Sequence, residues 1–343
     1  MSASGGRARR ATVIVPTYRR ERDLARCIES LGLQSRTDFE VIVVDNAVDD
    51  AVRRMVTGRA GSYPVPLRYV PECHLGLHYA RHAGARAAAS DLLLYTDDDA
   101  TFDAGWVDAH IRAFDANPDM AAAGGPVRPV WDVPPPTWLA EYAGDFGTFA
   151  ELSLLDRGRS FNKGQEVFYG VNMALRREAL VRCGGFNPDA FGAVWLGDGE
   201  TGLMRTLWRT GQAVGYVPDA VVLHHVPKER MTVAFLRQRM ANEGAMEVYA
   251  RYRGRVPRRW RLVRHALGVA ARNGRRWAAA SLRRGMDPAS LHARLHAART
   301  QAVFWATLRL AWATPLRELV MRTNWWECAS PGAKGEACDE GGT

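Results

Sequence analysis

The chain has 343 residues, 47% apolar and 24% charged, an ordinary globular composition with room for one large core plus an appendage, or for two domains. Its 46 Lys and Arg against 37 Asp and Glu leave a net charge of +9, and nearly all the cations are Arg. That excess suits an anionic ligand or a membrane surface, although genomic base bias also produces Arg-rich chains. No apolar stretch reaches the roughly 18 to 20 residues of a spanning helix; 302–313 is too short and carries Arg309.

The basic N-terminus, residues 1–10, has no apolar run after it that would make a signal peptide, so a cytoplasmic location is expected and the segment reads as disordered. Thr12-Val13-Ile14-Val15 is a β-branched strand ended by Pro16. Leu24, Cys27, Ile28 and Leu31 recur at helical spacing before Gly32, and 39–44 forms the next strand, ending in Asp45-Asn46. Strand, helix and strand make a βαβ unit and hence a parallel sheet, whose ligands bind beyond the carboxyl ends of the strands. Pro16, Thr17, Tyr18 and Asp45 belong on that edge.

A third strand is expected at 67–70, a small-residue helix at 77–89, and a buried strand at Leu92-Leu93-Leu94-Tyr95. This last strand delivers Asp97-Asp98-Asp99 to the same edge. Three adjacent carboxylates repel one another, which favours a hard divalent cation or water between them; an acidic loop or helix cap is the plainer account. Further on, 106–114 reads as a helix, 121–129 as a strand leaving the sheet, and the stretch from Pro134 through Lys163 as loop. Residues 167–176 read as a strand, 177–183 as a helix, and Gly184-Gly185-Phe186 as a turn. A helix opened by Asp198-Gly199-Glu200 closes at Gly211, and strands at 213–217 and 221–223 run into His224-His225. Residues 232–251 are helical.

Beyond them, 253–299 is dense in Arg interleaved with Trp260, Leu262, Val263, Leu267 and Trp277. These read as helices packed on the core with a solvated basic face, or as a face lying on anionic lipid. The Gly-rich tail, 331–343, reads as disordered. Cys27, Cys73, Cys183, Cys328 and Cys338 are scattered without metal-ligand spacing, so buried free thiols are expected.

Several of these features agree in order and spacing. Val13-Ile14-Val15-Pro16-Thr17-Tyr18, 39–46, Gly76 with Ala80-Arg81 and Gly84, and 94–99 resemble the nucleotide-sugar half of family-2 glycosyltransferases with the GT-A fold. Tyr169-Gly170-Val171-Asn172, Gly184-Gly185-Phe186, the helix opened by Glu200, and 216–224 resemble the acceptor half. The resemblance covers about 11–251 and implies an α/β fold: a GT-A-type doubly wound mixed sheet, largely parallel, with a C-terminal helical extension. It divides the chain into 11–129 for the nucleotide sugar, 130–251 for the acceptor and 252–330 as a basic helical extension.

The implied reaction is an inverting, metal-dependent hexosyl transfer from a nucleoside diphosphate sugar. UDP is favoured by family frequency over GDP or dTDP. The acceptor is a hydroxyl of a glycan, lipid carrier or small molecule; peripheral contact with an anionic membrane is a further expectation, and nucleic acid is not an expected partner. By the same resemblance Asp99 binds Mn2+ or Mg2+ directly, Asp97 and Asp98 meet the ribose or the metal's waters, and His224 completes the metal site or is structural. Asp45 would bond the nucleobase, with Pro16, Thr17 and Tyr18 lining its pocket. Arg81 would meet the diphosphate or form a plain salt bridge. Counting back from Gly211 and Leu207 puts the family's usual catalytic carboxylate at Glu200. Gly199 stands where an acid is usual, leaving Asp198 as the alternative base and a helix cap as the structural one. Trp195, just before them, would stack on the acceptor sugar.

A nucleotidyltransferase would carry a Gly-rich phosphate loop after the first strand, where Pro16-Thr17-Tyr18-Arg19-Arg20 stands. An inactive glycan-binding relative would lack the aspartates or the later acid. A nicotinamide dehydrogenase needs a G-x-G-x-x-G that is absent there.

Overall fold

The structure is a computed structural model that describes residues 9–146, 150–191, 194–195 and 199–327. In chain order the elements are β1 (Ala11–Thr17), α1 (Glu21–Gly32), β2 (Phe39–Asp45), α2 (Asp50–Ala60), β3 (Leu67–Pro71), α3 (Leu77–Ala87), β4 (Leu92–Tyr95), β5 (Ala100–Phe102), α4 (Trp106–Ala116), β6 (Met120–Gly124), β7 (Val127–Trp131) and α5 (Thr137–Phe146). They continue as β8 (Asn162–Gly164), β9 (Met173–Arg176), α6 (Arg177–Arg182), β10 (Ala190–Phe191), β11 (Val194–Trp195), α7 (Gly199–Arg209), β12 (Ala213–Tyr216), β13 (Val222–Val226), α8 (Val233–Tyr252), α9 (Arg259–Leu282), α10 (Pro288–Trp312) and α11 (Thr314–Met321).

Among the described residues the main sheet runs β3-β2-β1-β4-β9-β6-β12-β8. It is parallel except at β9, which is antiparallel to both its neighbours, and at the edge strand β8. Both faces are covered, so β1, β2, β4 and β6 are buried along their whole length. Val13, Val15, Val41 and Val43 point into one core with α1, α2 and α4. Ile14, Ile42 and Val44 point into the other with α3, α6 and α7. A third core joins α8, α9, α10 and α11 through Tyr249, Leu262, Val303, Leu310 and Leu316.

Two features of this topology place the functional edge. The antiparallel β9 sets Met173 opposite Tyr95 and Gly124, so the loop before β9 lies beside the aspartates that follow β4. A small sheet, β5-β13-β7, pairs His224 with Ala100, which brings that imidazole next to Asp99.

The structure departs from the sequence expectations in several places. The single strand expected at 121–129 is two strands in different sheets, because Gly125-Pro126 interrupts the ladder. The strand expected at 167–176 is confined to Met173–Arg176. Two helices stand where loop or nothing was assigned. Helix α2 buries just Val52 and Val56 and is capped by Asp49, so its apolar period is faint; α5 follows directly on three prolines. Cys27 and Cys183 are buried free thiols, whereas Cys73 is disulfide-bonded, a pairing that leaves no spacing signal in the sequence.

Gly84 lets α3 approach β1 closely, since a Cβ there would overlap Ile14 Cγ2. Replacing it by Ala is expected to lower unfolding stability by about 1–3 kcal/mol through overpacking, despite the gain of up to about 1 kcal/mol in helix propensity. Denaturant titration reads the difference, and an unchanged midpoint would refute the close approach.

Candidate active site

A cleft of about 880 Å3 opens at the carboxyl edge of β1 and β4, walled on the far side by α7, α8 and the loop before β9. Pro16, Thr17, Tyr18, Asp97, Asp98, Asp99, Arg81, Glu200 and His224 all line it. Asp45 does not. Its carboxylate is fully buried and accepts from the backbone N–H groups of Ala47 and Asp49 and from the Tyr69 hydroxyl, so it shapes the loop behind the wall. Its neighbour Asn46 reaches the cleft while bonding the carbonyls of Glu72 and His74 and the Gly76 N–H. Asp198 and the Trp195 side chain lie outside the described residues.

The aspartates are held by cations already in the chain. Thr17 Oγ1 donates to Asp98 at 2.7 Å, and Arg20 Nη1 donates to Asp98 at 3.2 Å and Asp99 at 3.1 Å. Arg230 bridges two groups: Nη2 donates to Asp99 Oδ2 at 2.9 Å and Nη1 to His224 Nε2 at 2.9 Å. His224 Nε2 is also 3.5 Å from Asp99 Oδ1, a buried oxygen with no hydrogen-bond partner among the described residues. Arg230 can only donate, so its Nη1–H takes the Nε2 lone pair, and the orphaned Asp99 oxygen lies beside that acceptor. Such an arrangement suits a cation. No three His, Cys, Asp or Glu side chains are gathered as a metal cluster among the described residues.

These environments split the carboxyls. Burial pushes Asp98 up to about 6 against Arg20 and the Thr17 hydrogen bond. Burial also raises Asp97, with Arg81 opposing. For Asp99 the burial penalty is overcome by the neighbouring cations, among them Arg230 and Arg20, which hold its carboxyl well below the usual range.

Arg81, expected on the diphosphate or in a plain surface salt bridge, forms an ion pair, but a buried one: its side chain is 2% exposed and turned across the cleft. Nη1 donates to Glu200 Oε2 at 3.1 Å, and Nη2 lies 3.9 Å from Asp97 Oδ1. Burial works against ionisation of Glu200, but Arg81 prevails and lowers its pKa. Two glycines make the room. A Cβ on Gly170 would overlap Arg81 Nη2, and one on Gly199 would lie 3.2 Å from Nη1 and 2.9 Å from Asp189 Oδ1. Gly199, where an acid was expected, is therefore where the guanidinium and a third carboxyl pass. Asp189 is buried, lines the cleft, has no hydrogen-bond partner on Oδ2 among the described residues, and is pushed by burial up to about 7.

Sequence reading missed Arg20, Arg230 and Asp189. Arg20 adjoins the Pro16-Thr17-Tyr18 run and was within reach of a charge-balance argument. Arg230 ends a single 3-10 turn, Lys228–Arg230, that carries no motif, and Asp189 lies in the loop three residues after Gly184-Gly185-Phe186, the one local signal that could have pointed to it.

The largely parallel, doubly covered sheet with its polar cleft at the carboxyl edge has the GT-A glycosyltransferase fold. A mannosyltransferase, PcManGT from Pyrobaculum calidifontis, solved in complex with GDP-Man and Mn2+, shares it with a TM-score of 0.52 at 22% identity, over 90% of this chain and 76% of that one. The family model for glycosyl transferase family 2 matches residues 12–184, half of the chain, and the chain belongs to that family. It is a glycosyltransferase. Succinoglycan biosynthesis protein ExoM of Rhizobium meliloti is 27% identical over 233 residues, 67% of this chain and 71% of that protein. A glucosyl-dolichyl phosphate glucuronosyltransferase of Haloferax volcanii is 27% identical over 185 residues, 52% of this chain and 56% of that one.

Two outcomes follow from the geometry. Gly170→Ala displaces the Arg81 guanidinium from Glu200 and is expected to lower turnover by at least ~10-fold; turnover equal to wild type would mean the contact is dispensable. Asp189 has a folded pKa above its unfolded one, so its contribution to stability is present below about pH 4 and lost as pH rises through about 7. The thermal midpoint of Asp189→Asn should therefore fall less than that of wild type between pH 5 and pH 8, and parallel curves would refute the buried carboxyl.

Proposed function

We propose that this chain is an inverting, metal-dependent glycosyltransferase. It moves a hexosyl group from a nucleoside diphosphate sugar, UDP favoured, to a hydroxyl of a glycan, lipid carrier or small molecule. The carrying observation is the row Asp97, Arg81, Glu200: one buried guanidinium lies between an aspartate at the edge of β4 and a carboxylate on α7. This sets a leaving-group end and a nucleophile end on opposite sides of one cation.

In this reading Pro16, Thr17 and Tyr18 wall the nucleotide pocket, and Asp45 keeps the adjoining loop in shape. Residues 11–129 serve the donor, 130–251 the acceptor, and the basic helical extension from 252 on backs the acceptor wall through α10. The acceptor oxygen attacks the anomeric carbon, Glu200 takes its proton, and the electron pair of the breaking bond leaves on the diphosphate. Arg81 keeps Glu200 ionised and so able to accept that proton, at some cost in basicity. Asp198 remains the alternative base, and Trp195 a stacking surface for the acceptor.

Asp99 and His224, with Asp97 nearby, would hold Mn2+ or Mg2+ once Arg230 gives up the His224 Nε2 acceptor, their fit resting on the orphaned Asp99 Oδ1 beside that nitrogen. Such an ion supplies Lewis-acid neutralisation of the diphosphate. A second reading is favoured by one observation: Arg230 already bridges Asp99 and His224, so a guanidinium can fill the cation's place without a metal.

Glu200→Gln is expected to cut turnover by about 10^2–10^4-fold while leaving nucleoside diphosphate binding intact. A variant that turns over at the wild-type rate removes Glu200 as base. Released nucleoside diphosphate from a donor panel, measured with chelator and after Mn2+ is restored, separates the cation readings. Loss and recovery support the metal, whereas turnover indifferent to chelator and abolished in Arg230→Ala supports the arginine.

A further inference from the structure

Between positions 253 and 286 the chain carries eleven arginines and no Asp or Glu. Helix α9 occupies most of that stretch and buries Leu262, Ala266, Val269, Asn273 and Ala280. Its opposite face is a continuous exposed stripe at helical period, in which Trp260, Leu267 and Leu282 alternate with Arg264 and Arg275. These apolar side chains are far from covered: Trp260 is 52% exposed, Leu267 59% and Leu282 82%. Arg261 and Arg264 stack over the Trp260 ring at 5.3 and 5.1 Å. Among the described residues none of the α9 arginines is in an ion pair; the acid closest before them in sequence, Glu247, is taken by Arg251 and Arg299.

We propose that the outer face of α9 is a docking surface for an anionic lipid bilayer, lying in the interface with Trp260, Leu267 and Leu282 inserted and the arginines on lipid phosphates. The one-signed charge selects an anionic partner. Large apolar residues set at regular spacing within that charge select a lipid surface over a polyanion that offers phosphates alone. Among the described residues no helix is long and apolar enough to cross a membrane, so the contact is peripheral. Helix α9 packs on α10, whose Arg299 lines the cleft together with Phe235 and Met246 of α8. The docked helix is thus one layer from the acceptor wall, which, resting on the glycosyltransferase reading above, favours an acceptor carried in the membrane.

Flotation of the full chain with phosphatidylcholine vesicles, with and without phosphatidylglycerol, tests the docking without any sugar substrate. Wild type is expected to float with the anionic vesicles and stay behind with neutral ones. The Trp260→Ser, Leu267→Ser, Leu282→Ser triple variant should lose at least ~10-fold of its partitioning with an unchanged thermal midpoint, because all three side chains are exposed. Arg264→Gln with Arg275→Gln should weaken binding and its salt dependence together. Absence of wild-type flotation at low salt overturns the proposal, as does a triple variant that partitions like wild type. Binding of a single-stranded RNA oligonucleotide in place of vesicles, lost in the same variants, would assign the face to nucleic acid instead. Nucleoside diphosphate release measured without vesicles reports on the enzymatic reading separately.

Discussion

The site depends on one buried guanidinium. Arg81 is the second largest fully buried side chain among the described residues, and a cation in that position is stable only beside carboxylates. Removing one partner of a buried ion pair costs about 3–5 kcal/mol, so Arg81 fixes where Glu200 must stand as firmly as Glu200 fixes Arg81. The helix that carries Arg81 packs on β1, and the one that carries Glu200 packs beside β12. Their contact therefore ties one end of the sheet to the other across the cleft. Gly170 and Gly199 are the steric counterpart of that charge pairing, since a side chain at Gly170 would take the guanidinium's place and one at Gly199 would crowd both it and Asp189.

The aspartate end obeys the same balance with different cations. Three consecutive carboxylates are tolerated because Arg20 comes from the turn before α1 and Arg230 from the loop after β13, each offering hydrogen bonds as well as charge. Register makes this meeting possible. Pairing of His224 with Ala100, and a hydrogen bond from His225 N–H to the Asp99 carbonyl, hold the two segments side by side.

Much of the first half was legible because both determinants there are local. Buried parallel strands write themselves as unbroken apolar runs, and β2 and β4 stand within a residue of their expected bounds, while β1 continues through Pro16 to Thr17, two residues past its expected end. The edge to which the aspartates belong follows from element order, since consecutive parallel strands point the same way. Elements with weaker periodicity were lost: α2 buries two residues, and the 121–129 run concealed a change of sheet at Gly125-Pro126 that apolarity alone does not reveal.

The sequence by itself determined the α/β class, the carboxyl-edge placement of Asp97, Asp98 and Asp99, and the one-signed charge of the 253–286 stretch, all of which depend on residue type and spacing along the chain. Tertiary structure decided who meets whom. It turned Arg81 to Glu200, withdrew Asp45 from the cleft into its own loop, brought Asp189 beside Gly199, set Arg230 between Asp99 and His224, and put Trp260 with Arg264 and Arg275 on the outer face of α9 while turning Trp277 inward. Each of those is a through-space pairing of groups far apart in sequence or a choice between helix faces, fixed by strand register and packing, and no local pattern encodes it.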